Sequence, residues 1–339
     1  MTLNERIFAL LELGKILRAQ TDEFLQASVQ RTAYHNGWLT VDNQQQAIAA
    51  IAEQMLTREV LDSWLAAYQV PEVSSPRKVG LVLAGNLPLV GFHDVLCVFV
   101  AGHRAVLKLS DKDPYLLPAI LRILQQIDAR TAGYFETVDK LTDFEAVIAT
   151  GSNNSARYFE AYFGKYPHII RRNRHAVAIL NGSETAEELL ALGRDVFDYF
   201  GLGCRNVAKL YLPKDYDFDP LLSALHEYRQ IVNHSKYKNN FDYNYALWLL
   251  NKVDFKANGC VMLKEDPSLS SAIATLHYEY YAHLSEVQQQ LIAKRDEIQL
   301  VVSQHDFAPL PSFAFGQAQQ PGLADYADGV DTLGFLLRL

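Results

Sequence analysis

The chain has 339 residues, of which 49% are hydrophobic and 21% charged, and a formal net charge of −8. This is an ordinary globular mixture, long enough for two lobes, and its sign argues against a general nucleic-acid or anionic-membrane binder. Three scattered cysteines, Cys97, Cys204 and Cys260, form no CxxC pair and no disulfide framework, so a reducing cytoplasm is the expected setting.

Residues 1–75 read as a helical N-terminal segment packed on a main domain. Ile7, Leu10, Leu11, Leu13 and Leu17 recur at helical spacing, as do Ile48, Ile51, Met55 and Val60, with a break at Gly37-Trp38. Pro71 and the run Ser74-Ser75-Pro76 close the segment. The early acid Glu5 does not suit a secretory leader. Gly80 to Gly102 is long and apolar enough to suggest a membrane span, but Asn86, Pro88, His93 and Asp94 would be costly in lipid. A strand, a turn and a buried helix fit it better, and no integral membrane span is expected.

From Val79 short apolar runs alternate with helices. Val79–Leu83, Ala105–Leu109, Ala146–Ala149 and Ala176–Leu180 read as strands. Helices are expected through Val100, from Asp113-Pro114 through Leu124, and from Ala156 to Phe163. Alternation without hairpin signals predicts a parallel α/β sheet, whose ligands bind beyond the carboxyl ends of its strands. The turns carrying Gly85-Asn86, Lys108 to Asp111 and Thr150-Gly151-Ser152 fall there, and no GxGxxG follows any strand. Gly151-Ser152 opening a helix offers amides to a pyrophosphate, although simple capping is the commoner role of such a pair. Lys108 can reach a ribose hydroxyl or a 2′-phosphate, and Asp111 can accept from a ribose.

Thr185 to Glu188 is a capping box for a helix expected to end at Gly201. Cys204 follows in Phe200-Gly201-Leu202-Gly203-Cys204-Arg205-Asn206. Glycines allow close approach, and a neighbouring cation favours the nucleophilic thiolate. Cys204 therefore reads as a covalent nucleophile, with a small buried hydrophobe as the competing reading, which suits Cys97 and Cys260. Helices are expected at Leu221–Val232 and Ala246–Leu250, an aromatic stretch from Tyr237 to Trp248 packs or lines a pocket, and a strand is expected at Ile298–Ser303. His93 and His103 read as proton donors or structural histidines, and Arg171, Arg172 and Arg174 as a phosphate-binding cluster or a solvated face.

From Val79 to Leu339 the chain resembles the aldehyde dehydrogenase superfamily. It looks most like the acyl-CoA reductase branch related to the reductase of bacterial luciferase fatty-acid reduction. The resemblance rests on Ala84-Gly85-Asn86-Leu87-Pro88 with Gly91-Phe92-His93-Asp94, on Gly102-His103-Arg104 through Lys108-Leu109-Ser110, on Phe200 to Asn206, and on Ala327 to Thr332. It implies an α/β, aldehyde-dehydrogenase-like fold: a parallel-sheet NAD(P)-binding domain over 76–192, an α/β catalytic domain over 193–312 and a C-terminal return segment over 313–339. It implies Cys204 as the nucleophile that takes the acyl group and Asn86 as the oxyanion donor. Lys108, Asp111, Gly151 and Ser152 would hold the cofactor, NADPH, with NADH as the alternative. No metal is expected.

Hydrolytic relatives carry a glutamate upstream of the cysteine, whereas the comparable stretch here is Ile169-Ile170-Arg171-Arg172-Asn173. Without that base the acyl-enzyme should accept hydride rather than water. The expected activity is reduction of an acyl-CoA thioester to an aldehyde through S-acyl-Cys204. The alternatives are reduction of an acyl phosphate or an acyl-carrier-protein thioester, and a non-catalytic scaffold. The chain is shorter than typical relatives in the oligomerisation region, and a homo-oligomer is an open expectation.

Overall fold

The computed structural model describes residues 1–73 and 75–339, so Ser74 of the expected linker lies outside the described residues. The chain forms two compact units, residues 1–173 with 321–339, and residues 174–320.

The first unit begins with four helices, α1 (Leu3–Ala19), α2 (Glu23–His35), α3 (Val41–Gln54) and α4 (Arg58–Leu65). Each starts on a side-chain cap, from Thr2, Asp22, Thr40 and Thr57 in turn, which satisfies amides that the first helical turn leaves unpaired. Then follow β1 (Lys78–Val82), α5 (Phe92–Val100), β2 (Arg104–Lys108), α6 (Leu116–Ile127), β3 (Phe135–Thr137), β4 (Ala146–Thr150), α7 (Asn153–Phe163) and β5 (His168–Arg171). The sheet order is β3-β2-β1-β4-β5, parallel throughout. One continuous core joins the sheet, α5 and α6 to Leu10, Leu13 and Leu17 of α1, so the N-terminal helices are part of this unit.

The second unit holds β6 (His175–Ile179), α8 (Ala186–Phe197), β7 (Val207–Pro213), α9 (Phe218–His226), α10 (Ser235–Leu250), β8 (Lys256–Ala257), β9 (Met262–Glu265), β10 (Thr275–Tyr281), α11 (Leu284–Ala293), β11 (Ile298–Val302) and β12 (Ser312–Phe313). Its sheet runs β12-β11-β6-β7-β10-β9-β8, with β8 alone antiparallel to its neighbour. The chain then returns to the first unit and ends in α12 (Thr332–Leu337).

Several elements differ from expectation. The run Ala176–Leu180 was expected in the cofactor sheet but pairs with β7 and β11 in the other one. The units accordingly meet at residues 173/174 and 320/321, where the sequence suggested 192/193 and 312/313. A strand buried on both faces looks the same in either sheet. Asp113-Pro114 forms a turn, and α6 begins at Leu116, whose N–H reaches the Asp113 carboxylate. Helix α8 stops at Phe197 instead of Gly201. The short strands β3 and β5 carried no expected signal.

His93 and His103 are structural in this fold. His93 Nε2 donates to the Leu323 carbonyl at 2.9 Å and His103 Nε2 to the Leu336 carbonyl at 3.1 Å, so both hold the returning C-terminal segment. Burial lowers the pKa of each, which favours the neutral ring these bonds use.

Candidate active site

In the first unit the turns beyond β1, β2 and β4 lie side by side, because β1 pairs with β2 on one edge and with β4 on the other. The exposed Asn86 sits in the turn after β1. Gly85 is required there, since a Cβ would lie 2.4 Å from the Ser110 hydroxyl of the next turn. Leu89, in a left-handed conformation with φ of 55°, donates its N–H to Asp113 at 3.3 Å and so ties the two turns again. Burial raises the pKa of Asp113, partly offset by the amides it accepts.

Lys108, the last residue of β2, directs Nζ to the Leu109 carbonyl at 3.1 Å and lies 3.8 Å from the Asp111 carboxylate. That carboxylate is fully exposed, so the pair contributes little to stability but concentrates charge at the strand end. Gly151 and Ser152 lie on the other side of β1, at the start of α7. Ser152 caps that helix, its Oγ accepting from the Ser155 N–H at 3.2 Å. Gly151 is needed for internal packing, since a Cβ would come within 2.8 Å of the Phe159 ring. The first turn of α7 carries no acid. A cation at one strand end and helix amides at the next suit an anionic ligand group.

Cys204 belongs to the second unit and its placement depends on several specific contacts. Past Phe197 the backbone takes three left-handed residues in succession, Tyr199 (φ 54°), Phe200 (φ 60°) and Gly201 (φ 73°). Such conformations are costly for bulky side chains and persist only where the surroundings fix them. Buried Asn206 does much of the fixing. Its amide donates to the Asp195 carbonyl at 3.1 Å and the Asp198 carbonyl at 2.9 Å, groups left over at the end of α8. Its carbonyl accepts from the Gly203 N–H at 2.8 Å, and its own N–H closes a tight turn on the Gly203 carbonyl at 3.1 Å. Cys204 and Arg205 are the two central residues of that turn, and Cys204 is exposed.

Arg205 donates Nε to the Ala318 carbonyl and lays its guanidinium 4.7 Å over the Phe313 ring. The segment it grips is anchored by Asp195, wholly buried on α8, which accepts from the amides of Gly316 at 2.6 Å and Ala318 at 2.9 Å. Burial raises the Asp195 pKa to about 6 despite those two bonds. The turn is thus braced from α8 and from the 316–318 segment. The other thiols are buried. Desolvation raises the Cys97 pKa well above the usual thiol range and that of Cys260 to about 11.

The three arginines do not form one cluster. Arg171 is buried against Asp94 in a bidentate pair and also donates to Thr332 Oγ1 at 3.0 Å. Arg172 pairs with Glu160, and Arg174 donates to the carbonyls of Arg295 and Ile298. The stretch where a water-activating glutamate was considered is therefore β5, ending on a buried cation. The sequence reading missed Asn206, Asp195, Asp94 and His35. For Asn206 the signal was present in the motif itself, a residue able to satisfy carbonyls just past a helix end. Among the described residues no cluster of His, Cys, Asp or Glu suits a metal, and no helix is long and apolar enough to cross a membrane.

The two sheets and their order define a chain with the aldehyde dehydrogenase fold. A putatively named aldehyde dehydrogenase structure from Burkholderia cenocepacia superposes with a TM-score of 0.68 over 99% of this chain and 86% of its own, at 13% identity. Aldehyde dehydrogenase C from Pseudomonas syringae, solved with NAD+ and octanal, superposes with a TM-score of 0.65 over 90% of this chain and 73% of its own, at 14% identity. In sequence the chain is similar to long-chain acyl-protein thioester reductase 2 of Photobacterium leiognathi, 20% identical over 212 residues. That match spans 57% of this chain and only 44% of the relative's length. No family model matches the chain.

Proposed function

We propose that this chain reduces an activated acyl group to an aldehyde through an S-acyl intermediate on Cys204, with acyl-CoA as the substrate class. The observation that carries this reading is the exposed Cys204 in a braced turn, in a chain whose other two thiols are buried with raised pKa values. The Cys204 thiolate attacks the thioester carbonyl carbon, forming a C–S bond. Collapse of the tetrahedral adduct expels the CoA thiolate, which takes up a proton. Asn86 donates to the oxyanion, a contribution of about a hundred- to thousandfold for one such group.

A reduced nicotinamide dinucleotide, NADPH with NADH as the alternative, supplies the hydride when bound. Lys108, Asp111, Gly151 and Ser152 would hold it. The hemithioacetal left on Cys204 then collapses, with the thiolate leaving and the aldehyde released. The comparable stretch to that of hydrolytic relatives, Ile169 to Asn173, carries no acid, which supports reduction over hydrolysis. A reducing cytoplasm would keep Cys204 a thiol.

The name of the Photobacterium relative favours a second reading of the same chemistry, in which the acyl thioester is carried on a protein. Single-turnover oxidation of NADPH, with acyl-CoA, acyl phosphate and acyl carrier protein offered in parallel, separates these substrates. Cys204→Ala should abolish the burst of aldehyde with every donor. Turnover of that variant at the wild-type rate would sink the proposal.

A further inference from the structure

The end of α2 reaches the turn that carries the proposed ribose-binding acid. His35 Nε2 donates to the Asp111 carbonyl at 2.7 Å, and Asn36 Nδ2 donates to the Lys112 carbonyl at 3.3 Å. The His35 ring is itself oriented, edge-on to Tyr115 with centroids 5.4 Å apart, while the Arg31 guanidinium lies 4.0 Å over the Tyr115 ring. Within the turn, Ser110 accepts from the amides of Lys112 and Asp113. The Asp111 side chain projects fully into solvent. Its direction is therefore governed by its backbone, which His35 holds from a helix 76 residues earlier in the chain.

We propose that His35, assisted by Asn36, is a positioning residue for dinucleotide selectivity, and this rests on the cofactor reading given above. A carboxylate held at this strand end repels a 2′-phosphate and accepts from a free ribose hydroxyl, while Lys108, 3.8 Å away, does the opposite. The ratio of the two affinities then depends on where the backbone places Asp111. Releasing the His35 bond lets the carboxylate move away from the ligand and shifts preference toward NADPH. The N-terminal helices thereby take part in choosing the cofactor, besides covering the core.

The test is the dissociation constant of NADPH and of NADH, read by fluorescence on the full chain without acyl substrate. His35→Ala should lower the ratio Kd(NADPH)/Kd(NADH) by about three- to tenfold, the range spanned by one lost hydrogen bond. His35→Gln, which keeps an N–H donor, should recover part of the wild-type ratio. Asp111→Asn should shift the ratio in the same direction, and adding His35→Ala to it should change nothing further. An unmoved ratio in His35→Ala, or full additivity with Asp111→Asn, overturns the inference while wild-type binding keeps the cofactor reading intact. A wild-type chain that binds neither dinucleotide removes the cofactor reading and this inference together.

Discussion

Asp94 and Asp195 are both buried carboxylates on helices, one in each unit, and the two units compensate them differently. Asp94, on α5, is met by a full positive charge in a two-point contact from Arg171. Asp195, on α8, is met by two backbone amides. An opposite charge in two-point contact offsets the cost of burying a carboxylate more fully than neutral amides do. The first arrangement gives a clamp joining α5, β5 and Thr332 of the C-terminal segment. The second gives a carboxylate whose pKa burial raises to about 6, bonded directly to the segment that Arg205 grips.

The sharpest way to break this contrast is to remove the cation. Arg171→Met leaves Asp94 buried and uncompensated, a loss of about 3–5 kcal/mol for such a pair. Urea unfolding followed through Trp64, which lies in the same unit and bonds the Tyr326 hydroxyl at 2.7 Å, should show it. Adding Asp94→Leu should recover most of the loss, because a well-packed apolar pair avoids the desolvation entirely. Equal destabilisation by the double variant would mean that the clamp acts through shape rather than charge.

A smaller effect is expected at Asp195, and it depends on pH. Its pKa is raised from 3.8 to about 6 on folding. The folded state therefore holds the proton more tightly, so this stability is fully present below about pH 4 and is lost as pH rises through about 6. Asp195→Asn removes the titration. The stability difference between wild type and variant should slope with pH between about 4 and 6 and be flat above, and a difference flat across the whole window would refute the assignment. The same variant turns an amide N–H toward one of the Gly316 and Ala318 amides, so about 1–3 kcal/mol of pH-independent loss should accompany it.

The clamp and the brace also mark the limit of what the sequence displays. Strands β1, β2 and β4 and the capped start of α8 were legible, because apolar runs and Thr185 with Glu188 write themselves locally. The parallel fold followed from them. Asp94 and Arg171 lie 77 residues apart, and nothing in either local pattern announces their pairing. His35 and Asn206 act on backbone carbonyls, which every residue possesses, so their partners leave no compositional trace. The helix was expected to run on to Gly201 because Tyr199 and Phe200 are not residues that advertise left-handed backbone. Arg205 reads in the sequence as a cation beside a thiol, and nothing local announces that it also donates to the Ala318 carbonyl and lies over the Phe313 ring.

A stability effect no larger than that at Asp195, and the one closest to the chemistry, is expected at Asn206. Asn206→Ala removes the acceptor for the Gly203 N–H and the donor to the Asp195 and Asp198 carbonyls. A cost of about 1–3 kcal/mol is expected, lower than at Arg171 because no charge is stranded. The effect on Cys204 should be larger than the stability change suggests. Three left-handed residues precede the turn, and without Asn206 they can relax toward ordinary backbone and carry Cys204 with them. Alkylation by iodoacetamide reports the thiol directly, and single-turnover acyl transfer reports its placement. If the turn presents the nucleophile, acyl transfer should fall by at least about tenfold while alkylation changes little, since a small reagent needs no fixed approach. A parallel fall in both would show that Asn206 governs the thiol's ionisation instead, and the brace would then be electrostatic rather than geometric.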